Sequence, residues 1–541
     1  MVNWPKFFKR SSVDSASAKL GGTQFKRTTL PAGVEPTSPP RKAGLASVYV
    51  EHGMYLVDDP RIDDSILREY NRITDEVLEW MDARAFVTDS GVIEALRANG
   101  VQDPVLMYYV SRELMGYGVL QPMMDDPEVE DVVIAAPNAP VSVRHRAGNL
   151  RTNVVLSEPE VDSMAQRLAS KAAKPVSTYH PLLSTRLPEG HRLTLNYGSE
   201  VSHRGTSIAI RKFPKEPWSI AQLLANSTVT PEVLAWLWLL IETRKALLVT
   251  GTSGTGKTSM INALTSFIPM NARVVTVEDA GELGLSHEFW TPLVARYSYT
   301  QNRSAEISLD ALVHHALRMS ADYIIVGEVR GEEGRSWAQS ILTGHGGLTS
   351  VHSETPELAV QRLTAPPISV EERSLSALHA IVELRSNGSK RYVSAVLDHG
   401  YTDEHGHSWR RLHTASSMTS VTAQEQDFLS GPTAEILIDQ GLFTLKELTE
   451  ELRNRKSLLQ TLYVESQIDS RLMLHMNVTR LVWAYELNTR LRSDPDALIK
   501  LVLKDSKDEH HGEEYGQERV EDVSQPASDW KEPEKMEATV Q

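Results

Sequence analysis

Along residues 103–123 the apolar positions recur at helical spacing up to a turn marked by Gly116 and Gly118, which predicts a helix closed by that turn. Short β-rich runs follow over 132–135 and 141–144, then a helical pattern over 161–173. Two more strands are predicted over 193–197 and 206–211, the second in clear alternation. Strands and helices mixed in this way predict an α+β N-terminal domain over 46–211. The next six residues, 212–217, include Pro214 and Pro217 and read as a hinge linker. Beyond it the pattern changes. A helix over Pro231–Glu242 leads into an apolar strand over 246–250, a Gly-rich loop and a helix that starts at Lys257. Strands over 274–277 and Tyr323–Val326 then alternate with helices over 309–319 and through 337–342. Alternation of apolar strands with helices predicts a parallel sheet buried on both faces, here over 218–400. A mostly helical region is predicted over 401–505, with helices over 445–462 and 478–491. No internal repeat is visible.

A chain of 541 residues is too long for one core, in keeping with this division. Residues 1–45 are rich in Ser, Pro, Gly and basic side chains, with Asp14 and Glu35 as their acids, and are expected to be a disordered basic tail. Trp4, Phe7 and Phe8 among Lys6, Lys9 and Arg10 leave peripheral contact with a membrane surface as the alternative. Residues 506–541 read as a disordered acidic tail. The net charge of −15 and the lack of a basic stretch argue against a nucleic-acid partner. With 0 cysteines, disulfides, cysteine–zinc sites and thiol catalysis are excluded. The first residues, MVNWPKFFKRSS, have no apolar core of the kind a secretory signal needs. The longest apolar run, 233–241, is far short of the ~20 residues of a membrane span. A cytoplasmic location, peripheral to the membrane through a partner, is therefore expected.

Four boxes carry chemistry. The first is Gly251, Thr252, Ser253, Gly254, Thr255, Gly256, Lys257, Thr258, followed by Ser259, a full phosphate-loop pattern between a predicted strand and a predicted helix. Its glycines let the backbone N–H groups turn inward onto phosphate oxygens, and the helix N-terminus adds partial positive charge. Lys257 is expected to bridge the β- and γ-phosphates of ATP, and the Thr258 hydroxyl to bind Mg²⁺. The second box, Glu278, Asp279 and Glu282, places carboxylates beyond a strand end on the same edge, suited to holding metal and water. The third is the apolar strand 324–326 followed by Gly327 and Glu328, where phosphate-loop enzymes usually have Asp directly after the strand. Glu328 is thus the second Mg²⁺-linked carboxylate, acting partly through water. The fourth runs from Thr343 to Ser353 and contains His345 and His352. With no third ligand nearby, these imidazoles suit a γ-phosphate sensor better than a metal site. His314 and His315 read as an ordinary helix-face pair.

These boxes in this order, with Gly-Glu in place of Asp, resemble the type II/type IV secretion ATPase superfamily. The stretches 318–331, 343–352 and 362–367 are most similar to its archaeal branch, and 117–131, 187–192, 208–213 and 450–455 agree. The resemblance spans about residues 50–500. It implies a RecA-like motor domain and a homo-hexameric ATPase that powers a pilus-like filament, an archaellum or a secretion machine. The implied partners are a polytopic membrane platform protein and, indirectly, pilin- or archaellin-like subunits. It implies Glu282 as general base and Glu328 as the residue orienting Mg²⁺ and water. Arg192, Arg204 and Arg211 match arginines that the N-terminal domain supplies to nucleotide, and Arg296 and Arg330 also fall at arginines of the family pattern. The rival readings are a nucleic-acid translocating motor, which needs a basic channel with stacking aromatics, and a non-catalytic scaffold that holds nucleotide as a structural ligand.

Overall fold

The computed structural model describes residues 19–20, 23–24, 26–80, 89–213, 216–296, 306–388, 390–403, 406–415 and 425–504. The predicted acidic tail 506–541, the first 18 residues, and Pro214 and Lys215 of the predicted hinge lie outside them.

A short hairpin of β1 (Lys19–Leu20) and β2 (Thr23–Gln24) comes first. The N-terminal domain then contributes β3 (Arg41–Ala43), β4 (Ala46–Glu51), β5 (Met54–Asp58), β6 (Val129–Ile134), β7 (Pro140–His145), β8 (Gly148–Val155), β9 (Leu182–Arg186), β10 (Arg192–Asn196) and β11 (Ser207–Arg211). They form one sheet in the order β3-β4-β5-β8-β7-β6-β11-β10-β9. Period-two patterning decides which face is covered: Val141 and Val143 of β7 are buried while Ser142 and Arg144 are not. The helices α1 (Asp64–Trp80), α2 (Asp89–Ala98) and α3 (Pro104–Leu114) share a small core around Tyr70, Ile73, Leu96 and Tyr109. After α4 (Gln121–Asp125), helix α5 (Glu158–Lys171) starts at a Ser157/Glu160 capping box. Its Val161, Ala165 and Leu168 join the core of the sheet.

The motor domain opens with α6 (Ile220–Ala225) and α7 (Pro231–Glu242). It continues through β12 (Ala246–Gly251), α8 (Lys257–Leu264), β13 (Val274–Glu278), β14 (Trp290–Val294), α9 (Leu309–Ala316), β15 (Tyr323–Val326), α10 (Glu333–Leu342), β16 (Gly346–His352), α11 (Pro356–Thr364), β17 (Leu378–Asn387), β18 (Lys390–Asp403) and β19 (Gly406–Thr414). The order is β14-β13-β15-β16-β12-β17-β18-β19, with parallel pairing from β14 to β17 and antiparallel pairing beyond. One strand, β16, separates the phosphate-loop strand β12 from β15, which carries the carboxylate box. This is the RecA-like arrangement. All residues of β12, β13 and β15 are buried, as a parallel sheet covered on both faces requires.

The helices α12 (Glu425–Leu429), α13 (Pro432–Asp439), α14 (Leu445–Ser466) and α15 (His475–Leu487) form the C-terminal region. They explain why α7 is apolar on every side. Residues Val233 to Ile241 are all buried, packed between the sheet and α14 in a single core. Trp238 stacks on Phe267 at 5.2 Å and lies beneath the guanidinium of Arg455, 4.7 Å from the ring centre.

Two expectations are corrected. Residues 26–45 belong to the folded domain rather than to a tail. Lys26 pairs with Glu160 at 2.8 Å, Arg41 with Asp126 and Glu128, and Asn153 donates to the Thr29 carbonyl. Polar and ionic bonds fasten this strap, so hydrophobicity gives no sign of it. The C-terminal region is not helical from 401, because β18 and β19 extend the sheet to Thr414 before α12 begins. They interleave exposed Arg410 and Arg411 with Asp398, His399 and His413, which are buried, and polar residues in inward positions hide the alternation.

Replacing Trp238 by Ala removes a fully buried stacked ring and is expected to cost about 3–5 kcal/mol. Urea unfolding followed by circular dichroism would measure this, and a loss below ~1 kcal/mol would contradict the shared core.

Candidate functional site

The loop after β12 is shaped by glycines where side chains do not fit. A Cβ on Gly251 would lie 2.5 Å from the Leu384 carbonyl oxygen and 2.6 Å from Thr255 Oγ1. Gly254 and Gly256 have φ of 78° and 94°, in the left-handed region, and Gly256 is the N-cap of α8. Lys257, the first residue of α8, is buried with only 6% of its surface exposed. Its Nζ donates to the carbonyls of Gly251 and Thr252, both at 3.0 Å, and lies 3.1 Å from His352 Nδ1. An ammonium can only donate, so Nδ1 accepts and Nε2 of His352 carries the ring proton. Burial pushes the Lys257 ammonium down to about 8, against the opposing pull of Glu328.

Parallel pairing brings the other boxes to the same edge. Gly251 stands opposite His352 in the β12–β16 register, and β15 and β13 deliver Glu328 and the acidic turn beside them. Glu328 Oε2 accepts from Arg330 at 2.6 Å, and Oε1 lies 3.1 Å from His352 Nε2. Burial pushes the Glu328 carboxyl up, but Arg330, His352 and Lys257 outweigh it and hold the group below its ordinary value. Glu282 receives a hydrogen bond from the Thr258 side chain; burial raises its carboxyl, with Arg211 and Arg192 opposing.

Glu278 and Asp279, expected at the nucleotide, brace the site. Glu278 is only 3% exposed, and its Oε1 accepts the N–H groups of Glu282 at 2.8 Å and Leu283 at 2.9 Å, which shapes the turn that presents Glu282. Burial pushes its carboxyl up to about 7. Asp279 sits between Arg192 at 3.2 Å and Arg330 at 3.8 Å.

Of the arginines predicted in the N-terminal domain, Arg192 and Arg211 reach the motor domain. They are cross-strand partners at one end of the β10–β11 pair. Arg204 does not reach it. It lies exposed in the loop joining those strands, beyond the Asn196–Ser207 pair and about 13 Å along the strands from the site. His345 is also misplaced. It precedes β16 at the opposite edge of the sheet, bonded to Thr343 and Ser340, about 20 Å along the strand from His352. Of the two imidazoles of this box, His352 is the one beside Lys257 and Glu328. Arg296 follows the edge strand β14 and bridges to Ile307, beside the end of β13. His314 and His315 lie on α9, and His314 is 3.2 Å from Ser336 Oγ, an ordinary helix-face contact.

Three arginines were missed. Arg144 lies against the phosphate loop, its guanidinium 2.4 Å from where a Cβ on Gly254 would be, and Arg186 approaches Gly281 in the same way. Arg391 of β18 meets Arg144 at a shared carboxylate, Glu130, at 2.7 and 3.3 Å. Nothing but outward-facing charge on a strand marks them in the sequence. Between the domains is a cavity of about 660 Å³, lined by Ser253 to Gly256, Ser259, Arg144, Arg146, Trp218 and Arg391.

The residues present suit Mg²⁺. Glu328 Oε1 is buried and makes no hydrogen bond, with His352 Nε2 3.1 Å away but out of line for one, and Thr258, at the start of α8, supplies a neutral hydroxyl oxygen. Among the described residues no group of three or more His, Asp or Glu converges as a metal site, so these donors fit a cation that keeps most of its water.

The family model described as "Type II/IV secretion system protein" matches residues 126–418, just over half of the chain. The chain belongs to that family. It is 33% identical over 304 residues to uncharacterized protein MJ0900 of Methanocaldococcus jannaschii, covering 55% of each chain. It is 32% identical over 260 residues to the putative conjugal transfer protein Rv3659c of Mycobacterium tuberculosis, covering 47% of this chain and 73% of the other. A solved structure of the ATPase DotB from Legionella pneumophila aligns with 71% of this chain and 95% of its own, at 16% identity and a TM-score of 0.38. The chain spans about half the length of the first curated relatives it matches, from 33% to 58%. Archaeal relatives agree with the archaeal branch indicated by the motifs. Within this secretion-system family member, matched residues 126–418 contain the whole site just described.

A polyphosphate favours the charged form of Lys257, so binding and protonation are linked. ADP affinity is expected to hold up to pH about 8 and then weaken by up to about tenfold per pH unit as the ammonium is lost. Calorimetric titration across that range measures the slope. A flat profile would show that the Lys257 charge does not hold the phosphates.

Proposed function

We propose that this chain hydrolyses ATP and, as a homo-hexamer, powers assembly or rotation of a type IV pilus-like filament, an archaellum or a type II/IV secretion machine. The observation that carries this reading is the convergence of Lys257, Thr258, Glu282 and Glu328 on one sheet edge, facing Arg192 and Arg211 of the N-terminal domain. The phosphate loop from Gly251 to Thr258 holds the polyphosphate through inward N–H groups, and Lys257 leaves its carbonyl partners for the β- and γ-oxygens. Ser259 and the 660 Å³ cavity offer space for the ribose and base beside Trp218. Thr258 and, partly through water, Glu328 would hold Mg²⁺, which would supply neutralising charge at the phosphates.

Glu282 takes the proton of the attacking water. Its burial favours accepting a proton, and Arg211 and Arg192 oppose that rise by favouring the carboxylate. As charge spreads over the γ-oxygens, arginines near the loop stabilise it, a contribution of about 10³–10⁵ in rate for an arginine finger. His352, between Lys257 and Glu328, registers loss of the γ-phosphate. ATP draws the N-terminal domain onto the motor through its arginines, and hydrolysis releases it, with the 212–217 linker taking up the rotation. The partners are a polytopic membrane platform protein and, through it, pilin- or archaellin-like subunits. Among the described residues no helix is long and apolar enough to cross a membrane, which supports a peripheral position at the cytoplasmic face.

Phosphate release should be measured with Mg²⁺, ATP, lipid and the platform protein. Glu282→Gln and Glu328→Gln are expected to lower turnover at least about a hundredfold while ADP still binds, whereas Lys257→Ala abolishes binding. No turnover by the unaltered protein would sink the motor reading, and stimulation by DNA in place of lipid and platform would redirect it to nucleic acid. Small-angle scattering with an ATP analogue and with ADP tests closure, and identical envelopes would remove it.

A further inference from the structure

The segment that follows Glu282 is stitched to two different parts of the molecule. On one side is Asn262, in the helix that starts at the phosphate loop. Its Oδ1 accepts the Gly284 N–H at 3.1 Å, and its Nδ2 lies 3.5 Å from the Glu282 carbonyl. On the other side is α15 of the C-terminal region. Its first residue, His475, is 1% exposed, and its Nδ1 lies 3.1 Å from Ser286 Oγ. Its Nε2 lies 3.0 Å from the backbone carbonyl of Asn262 itself.

Chemistry fixes the ring. A carbonyl only accepts, so Nε2 carries the proton and Nδ1 accepts from the Ser286 hydroxyl. Burial keeps the imidazole neutral, pushing it down to about 4, so it offers one donor and one acceptor, and both are used. One side chain of the C-terminal region thus holds the end of the phosphate-loop helix and the segment carrying Glu282 at once. Further along, His287 bonds the Ile268 carbonyl at 2.9 Å and stands edge-on to Trp483 of α15, with ring centres 5.2 Å apart.

We propose that His475 is a positioning residue for Glu282, through which the C-terminal helical region sets the rate of the hydrolytic step. This rests on Glu282 being the general base. A shift of α15 moves Ser286 and Asn262 together, and with them the carboxylate that must meet the attacking water. The nucleotide itself is held by the other end of α8 and does not feel the link. The C-terminal region therefore changes kcat and leaves nucleotide affinity alone.

The test compares His475→Leu, which removes the bonds of both ring nitrogens, including the contacts of Nε2 with Thr265 and Ser266 at 3.3 and 3.1 Å, and Ser286→Ala, which removes the Nδ1 bond, with Thr479→Val in the same helix. Thr479 bonds Ser266 and its own helix; it reaches His475 Nε2 through Ser266 Oγ, 3.1 Å away, and makes no bond to the Glu282 segment, so it reports loss of packing in the same cluster without loss of the Ser286 link. His475→Leu is expected to lower kcat about tenfold with KM and ADP affinity within twofold of the unaltered protein. Ser286→Ala should lower kcat in the same direction, and combining the two should add nothing further. His475→Asn, whose amide keeps an acceptor near the Nδ1 position, should restore part of the rate. Thr479→Val should leave kcat unchanged even where it lowers the melting temperature. Equal loss of kcat in Thr479→Val and His475→Leu, or unchanged kcat in His475→Leu, would overturn the proposal. Full activity in Glu282→Gln would instead overturn the assignment of the base, a separate result from any of these.

Discussion

Two arginines, Arg192 and Arg211, stand directly opposite each other in an antiparallel strand pair, an arrangement that is repulsive by itself. It holds because carboxylates reach them from both sides. Asp131 of the same domain takes Arg211 at 3.0 Å, and Asp279 of the motor domain takes Arg192 at 3.2 Å. The acidic turn needs them equally, since Asp279 and Glu282 lie next to Glu278 and Glu328. Neither charge set is settled without the other. The N-terminal domain is thereby held against the phosphate-loop edge of the second domain by charges that border that loop.

That exchange accounts for the state of each group at the edge. Carboxylates clustered this closely cannot all ionise cheaply, and their environments separate them. Glu278, braced by two backbone N–H groups but almost sealed from water, is pushed towards the protonated form. Glu328, beside Arg330, His352 and Lys257, is held ionised. Glu282 lies between these extremes, with burial and arginines opposed. One residue type thus takes three different states in three surroundings along a single edge.

Much of this was legible in the sequence because it depends on local rules. Glycines, Lys257 and Thr258 are fixed by what a loop around phosphate demands, and apolar runs ending in acids announce parallel strands. Arg204 and His345 were misread because sequence proximity to a functional box does not say which end of a strand a side chain occupies. Arg204 sits in the hairpin loop, and His345 sits one strand length below His352. Arg144, Arg186 and Arg391 went unseen for the complementary reason: their importance comes from packing between domains, which leaves no periodic trace. The strap over 26–45 and the strands β18 and β19 were hidden by polar composition: ion pairs fasten the strap, and the two strands bury Asp398, His399 and His413.

The wholly buried α7 bears on how this protein can be taken apart. Its surface faces the sheet on one side and α14 on the other, so the boundary before Glu425 separates elements in sequence but not in water. A fragment ending with the last strand would expose Leu234, Trp236, Trp238 and their neighbours as a broad greasy face. Modularity here stops short of the motor. The phosphate-loop domain and its helical cover are a single unit of folding, and lineages that shed the cover would have to rewrite α7 at the same time.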